Sequence, residues 1–336
     1  MQDTRTTFID VVTAATKALF SQAEKEISGS LLYPTLGYQD GTCNIPDEAR
    51  NQVSGPSEAV DTEEGVEYAE VEKFRGFPIT VNPKKVTHKL SYTEEVVHWL
   101  QKASTMNMAT NEIKNAASDA ANALYQKIDK DATMVFYNGF ATTNSPVNKS
   151  GNVGNSEALY ASHALRKSGV SAIKNTFATA DGHLPLSSDA LKKMIDIMNR
   201  FQSHAGIQLL PVKDLVLMTA VEGQAEAYRI VKSDYGPNSA LLGLNASSAS
   251  ALATRGMKIS IVEAPWIPAA NATHWGLIDR TRASKALELG WGWRPKLDDD
   301  MKKSSGTFLS LGSAYYRPIS LGWDYTAASK GDNTAS

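Results

Sequence analysis

The sequence predicts an α+β fold in which one long helix and a charged ribbon precede a mixed sheet. Three observations carry that reading. No Gly or Pro occurs between Pro83 and Gly139, so nothing in that run breaks a helix. Within it Val96, Leu100, Ala103, Met106, Ala109, Ile113, Ala116, Ala120, Leu124 and Ile128 recur in steps of three and four, which draws one apolar stripe. Before it, Val66, Tyr68, Val71 and Phe74 are interleaved with Glu67, Glu70, Glu72 and Lys73, and Val86, His88, Leu90 and Tyr92 alternate as a strand does. After it come short apolar runs separated by turn residues, the pattern of a sheet with connecting helices.

In chain order, residues 8–27 form an amphipathic helix (Phe8, Val11, Val12, Ala15, Leu19, Phe20, Ala23, Ile27) stopped by Gly29. Residues 30–60 carry Pro34, Gly37, Gly41, Pro46, Gly55 and Pro56 with few apolar anchors, and read as an arm that packs against something outside its own core, with disorder as the alternative. Two strands, near 66–74 and 86–92, make an antiparallel ribbon with Lys73, Arg75, Phe77, Lys84 and Lys85 toward its tip. A lone two-stranded ribbon is marginal in water, so this tip is expected to lie on another subunit. An ordinary surface hairpin is the plainer alternative. Thr93, with Glu94 and Glu95 behind it, reads as the cap of the long helix. That helix would be roughly 50–65 Å long, about the diameter of a compact chain of this size.

Beyond a polar connector (141–155), two short helices are expected near 161–167 and 170–177. Leu186-Ser187-Ser188-Asp189 caps a helix bearing Leu191, Met194, Ile195, Met198 and Phe201 and ending near Gly206. A buried strand follows at Leu209–Thr219, and a helix at Glu222–Lys232 with Ala225, Tyr228 and Val231 inward. Residues 234–250 read as a loop and Met257–Glu263, Trp275–Asp279 and Lys285–Trp293 as strands. Asp298–Lys303 is a charged turn; Thr307–Leu311, Ala314–Tyr316 and Ile319–Trp323 are short strands before a polar tail.

Composition narrows the function. The chain has 336 residues, 42% hydrophobic and 21% charged, enough for a sizeable core in two subdomains. A net charge of −2 argues against a protein that grips nucleic acid by neutralising many phosphates. Cys43, the single cysteine, has no partner for an internal disulfide. No apolar run is long enough to span a bilayer, and residues 1–30 hold no apolar signal core. The expected product is soluble and made in a reducing compartment.

Candidate chemistry is thin. No GxxxxGK[ST] or GxGxxG occurs, and the six histidines form neither HxxxH nor HExxH. Ser171 and Lys174 have an SxxK spacing without the accompanying elements of a serine acyl-enzyme. Asp298, Asp299 and Asp300 lack the alternating oxygen ligands of a calcium loop. Trp266, Trp275, Trp291, Trp293 and Trp323 read as core and contact aromatics. No catalytic residue, cofactor or metal is expected.

The order of elements is more telling than any motif. Phe77-Pro78-Ile79-Thr80-Val81, the run Thr87–Glu95, Val262–Ile267 with its Pro265-Trp266 pair, and Trp275–Asp279 are laid out along the chain in a way that resembles the major capsid proteins of tailed bacteriophages, the HK97-like fold. The resemblance implies an N-terminal arm (1–60), an extended E-loop (61–92), a peripheral domain with the spine helix (93–184), an axial domain (185–285), and C-terminal strands returning to the peripheral domain ahead of a polar tail (286–336). It implies a chain that assembles with itself, as hexamers and pentamers, into an icosahedral shell around double-stranded DNA, without sequence-specific DNA binding and without a membrane. Portal, scaffold and decoration proteins are the further partners such a shell takes. Assembly would take place in the host cytoplasm and the product would be the virion capsid. An encapsulin-like compartment shell is the alternative within the same fold.

Overall fold

The structure, a computed structural model, describes residues 2–53, 55–57, 74–93, 95, 106–143, 145–177, 181–232, 257–297, 302–304 and 307–332. Its longest element is helix α2 (Met106–Tyr137), 32 residues and about 48 Å at the rise of an α-helix. Ile113, Ala117, Ala120, Ala121, Leu124, Ile128, Ala132 and Val135 are buried along it, continuing the stripe seen in the sequence. The stripe has two jobs. Its first half packs with Phe20 and Ala23 of helix α1 (Gln2–Ser28), and the small residues Ala117, Ala120 and Ala121 let the two helices approach closely. Its second half, from Tyr125 to Phe136, enters the main core.

Two sheets flank α2. The larger joins β1 (Gln39–Thr42), β10 (Leu287–Leu297), β12 (Thr307–Ser320) and β11 (Lys302–Ser304) in that order, with β4 (Lys84–Thr93) pairing with β12. The smaller has the order β13-β9-β7-β8, from strands Thr326–Ser329, Trp275–Asp279, Asp214–Thr219 and Lys258–Glu263. Its β7 and β8 run parallel through helix α4 (Gln224–Lys232), while β9 and β13 are antiparallel. Helix α3 (Ser188–Asn199) starts where the sequence places it: Ser187 accepts from the Ala190 N–H, and Leu191, Met194, Ile195 and Met198 are buried. Two small pairs complete the strands, β2 (Glu48–Asn51) with β3 (Pro78–Val81), and β5 (Ser162–His163) with β6 (Ile173–Lys174).

Several expectations need correction. The 30–60 arm packs on its own subunit, because Leu36, Tyr38 and Cys43 are buried and β1 extends the larger sheet. Asp129 of α2 fastens the arm by accepting the Leu32 and Tyr33 N–H groups at 2.8 and 2.9 Å, and also takes Trp266 Nε1 at 3.2 Å. The 66–73 half of the expected ribbon lies outside the described residues. Its partner β4 does not stand free, since Lys84 to Thr93 pair with Tyr316 to Thr307 of β12. The cause is Leu90, whose burial in the α1–α2 seam requires a strand with a covered face. Thr93 therefore ends a strand, and residues 96–105 of the expected helix lie outside the described residues.

The helices expected at 161–177 are replaced by β5 and β6, held by Asn175, whose side chain accepts from the Ala161 N–H at 3.0 Å. Helix α3 stops at Asn199 rather than near Gly206, and the Asn199 side chain accepts from the Val212 N–H instead. In α4 Ala227 is buried and Val231 packs against the core as expected, while Ala225 and Tyr228 are exposed. A short helix, α5 (Arg280–Ala286), precedes β10; Asp279 caps it by accepting from the Thr281 N–H. The three expected C-terminal strands are one strand, β12, and the tail supplies the buried strand β13. The 234–250 loop and Asp298–Asp300 lie outside the described residues.

Candidate assembly surface

The charged residues singled out in the sequence fall into two places. Lys73 lies outside the described residues. Arg75 and Phe77 sit against their own subunit: the Phe77 ring lies 4.6 Å under the Arg166 guanidinium and 5.7 Å from the His204 ring, and Arg166 Nε donates to the Arg75 carbonyl at 3.0 Å. The Phe77 backbone is locked to Gln52 by two hydrogen bonds, at 3.0 and 3.2 Å. Within the described subunit these two residues pack on the chain's own body.

Lys84 and Lys85 open β4, opposite Tyr316 and Tyr315 of β12. They form one wall of an open groove of about 760 Å³. Helix α2 supplies the second wall. Lys127 and Lys130 are spaced three apart on its exposed face, opposite the apolar stripe that includes Ile128 and Ala132. The 143–151 connector supplies the rim, with Lys149, and the end of β12 the floor, with Arg317. Six cations thus face one carboxylate, Asp131.

That carboxylate is already committed. Asp131 pairs with Lys127 and accepts the Tyr316 hydroxyl at 2.8 Å. Lys149 reaches Asp47 at 2.7 Å, an exposed pair of small energy. Lys85 lies 6.0 Å over the Trp293 ring. Among the described residues Lys84, Lys130 and Arg317 have no ion-pair partner. Arg317 is the unusual one. It is 5% exposed, its Nε has no hydrogen-bond partner among the described residues, and its Nη2 reaches only the Val147 carbonyl at 3.5 Å. Burial pushes its pKa down, and the Asp131 charge opposes that shift. The Ser145 hydroxyl beside it is likewise buried and unpartnered. A guanidinium removed from water without a carboxylate is costly unless an anion approaches it.

Of the groove cations, Lys84 and Lys85 were legible in the sequence as a charged pair. Lys127 and Lys130 carried a signal in their helical spacing. Lys149 and Arg317 carried none, because a connector and a strand end 168 positions apart meet only in the folded chain.

Residues 78–301 match the phage capsid protein family. No curated protein matches the sequence. Among solved structures, one from Mycobacterium phage Patience is similar over 95% of this chain and 90% of its own, with 10% identity and a TM-score of 0.51. The capsid of Myoviridae phage XM1 (10% identity, 89% of this chain and 90% of that chain, TM-score 0.47) and the capsid of cyanophage P-SCSP1u (14%, 89% and 87%, 0.46) are also similar. The long α2 helix between two sheets is accordingly the HK97-like arrangement. By the match of two thirds of its length, this chain belongs to the phage capsid protein family and is a structural subunit of a capsid shell.

Proposed function

We propose that the chain is the major head protein, that hexamers and pentamers of it close an icosahedral shell, and that the shell encloses double-stranded DNA in the virion after assembly in the host cytoplasm. The observation that carries this reading is the family match spanning 78–301, which takes in α2, three of the four strands of the smaller sheet and the whole of β10. Physical chemistry agrees with it. A rod of about 48 Å gives the subunit a strut for lateral contacts. The outer edges of β8 and β4 are unpaired among the described residues, and open edges are stable where a neighbour covers them. A net charge of −2 suits a wall along which DNA must pack without adhering.

In this reading 1–60 is the arm, 61–92 the E-loop, 93–184 the peripheral domain, 185–285 the axial domain and 286–336 the returning strands with the tail. Lys73, Arg75, Phe77, Lys84 and Lys85 then belong to the subunit contact region, with Lys84 and Lys85 acting from the groove wall. Portal, scaffold and decoration proteins are the expected further partners. Replacing Lys84 and Lys85 with Glu is expected to leave the circular dichroism of the subunit unchanged, since both side chains are exposed, and to reduce the yield of shells. Shells at wild-type yield would remove these two residues from the contact. Nuclease-resistant DNA inside purified particles supports a head, and an enzyme cargo in its place would make the chain an encapsulin-like shell.

A further inference from the structure

The groove between α2, β4 and the 143–151 connector holds about 760 Å³, within the range of small-molecule sites. Its floor is pinned in place. The Asn148 N–H donates to the Pro318 carbonyl at 3.0 Å, and the Lys149 N–H donates to the Thr80 carbonyl at 2.8 Å. The Asn148 side chain also accepts from the Ser320 N–H at 3.1 Å, so the connector is fastened both to β3 and to the end of β12. On that floor two polar groups are withdrawn from water and left unpaired. Arg317 and Ser145 are each 5% exposed, and among the described residues neither Arg317 Nε nor the Ser145 hydroxyl has a hydrogen-bond partner. Both can donate, so what the floor lacks is an acceptor. The walls lack one too. Lys84 and Lys130 are exposed and have no ion-pair partner among the described residues, while Asp131 is already engaged by Lys127 and the Tyr316 hydroxyl.

We propose that this groove binds a small, multiply charged phosphate anion, a short inorganic phosphate chain such as triphosphate. Arg317 Nε and the Ser145 hydroxyl donate to its innermost phosphate, and Lys84, Lys130 and Lys149 take the outer charge. Guanidinium and ammonium groups are the side chains that suit phosphate oxygens, and their charge-assisted bonds are the strong ones. A single carboxylate would leave most of the unpaired charge of Lys84, Lys130 and Arg317 unmet. Duplex DNA fits less well, because the guanidinium is recessed on the floor and the whole chain carries a net charge of −2. An anion held there bridges α2, β4, the connector and the end of β12, and by binding only the folded chain it stabilises that junction. The site lies within one subunit and does not depend on the shell reading.

The test is a calorimetric titration and a thermal melt of the full chain with sodium triphosphate, against sodium chloride at the same ionic strength. Triphosphate is expected to bind saturably and to raise Tm progressively with concentration, and chloride to do neither. K130E/K149E changes two exposed side chains, so it is expected to keep the wild-type circular dichroism and to raise the Kd about tenfold or more. Arg317→Met removes the buried charge and keeps an apolar stem. Its Tm in chloride is expected to be no lower than that of the wild type, and its response to triphosphate to be lost. A variant that melts lower in chloride yet keeps the full response would make the guanidinium a structural group and overturn the proposal. No saturable binding by the wild type, or equal binding by K130E/K149E, also overturns it, and K130E/K149E decides alone if Arg317→Met does not fold. Duplex DNA that binds more tightly per phosphate than triphosphate, and loses that binding in K130E/K149E, would assign the groove to nucleic acid instead. None of these readouts involves shells, so failure of the shell reading would leave the result standing.

Discussion

Asp129 concentrates three donors on one carboxylate, from Leu32, Tyr33 and Trp266, and so joins the arm, the long helix and the strand connection after β8. Burial raises its pKa despite those three bonds, so part of their gain is offset by the cost of a buried charge. Asp129→Ala leaves three donors without an acceptor and is expected to cost about 1–3 kcal/mol, read as a lower urea midpoint of the unassembled subunit. Glu157 behaves in the opposite sense. Burial pushes its pKa up, but the hydrogen bonds from His163 and the Ala164 N–H outweigh that and hold it below the ordinary glutamate value. A depressed carboxyl contributes stability above its unfolded pKa and loses it as pH falls. His183, His204 and His274 also have depressed pKa values, chiefly from burial, with Lys330 acting on the first and third and Arg166 on the second. Those three imidazoles favour the folded state when neutral, so their contribution is present above pH 6.5 and lost below it. The urea midpoint is therefore expected to be level above neutrality, to fall below about pH 6.5, and to fall again below about pH 4.5. In Glu157→Gln the lower fall should be smaller; an unaltered lower limb would mean that Glu157 is not its source.

At the scale of elements, α2 was readable because its stripe keeps the helical period along its length, and Ala120→Pro is the direct check. Ala120 is fully buried against α1, and a proline there removes a backbone bond and clashes with the preceding turn. A loss of about 3 kcal/mol or more is expected, seen as loss of soluble subunit. In the larger sheet, Gly292 leaves room for the Tyr315 ring: a Cβ there would lie 2.2 Å from Tyr315 Cδ1. Gly292→Ala should displace Tyr315 from its stack on Trp293, at 4.6 Å, and lower thermal stability by about 1–3 kcal/mol. The elements that were misread share a physical cause. Residues 161–177 and the 30–60 arm hold their shape by side chain to backbone bonds from Asn175, Glu157 and Asp129, which leave no periodic trace in the sequence. Residues 326–329 look like a polar tail, yet Ser329 donates to the Leu184 carbonyl and Thr326 to the Leu277 carbonyl, so small polar residues fill a buried strand. Helix α5 went unread, because its seven residues are too few to show a period.

For the whole molecule, the order of arm, ribbon, long helix and late sheet was the legible part, and it led to the family that residues 78–301 match. The groove was illegible as a unit. Its six cations come from four separate stretches, and only folding makes them neighbours. The central claim is that this chain completes its structure by tiling with copies of itself. Electron microscopy of the purified chain, at the concentration and salt of the assembly reaction, measures that most directly. The account predicts closed polyhedral particles of uniform diameter. A single discrete monomer or small oligomer, persisting across concentrations and in low salt, would contradict it.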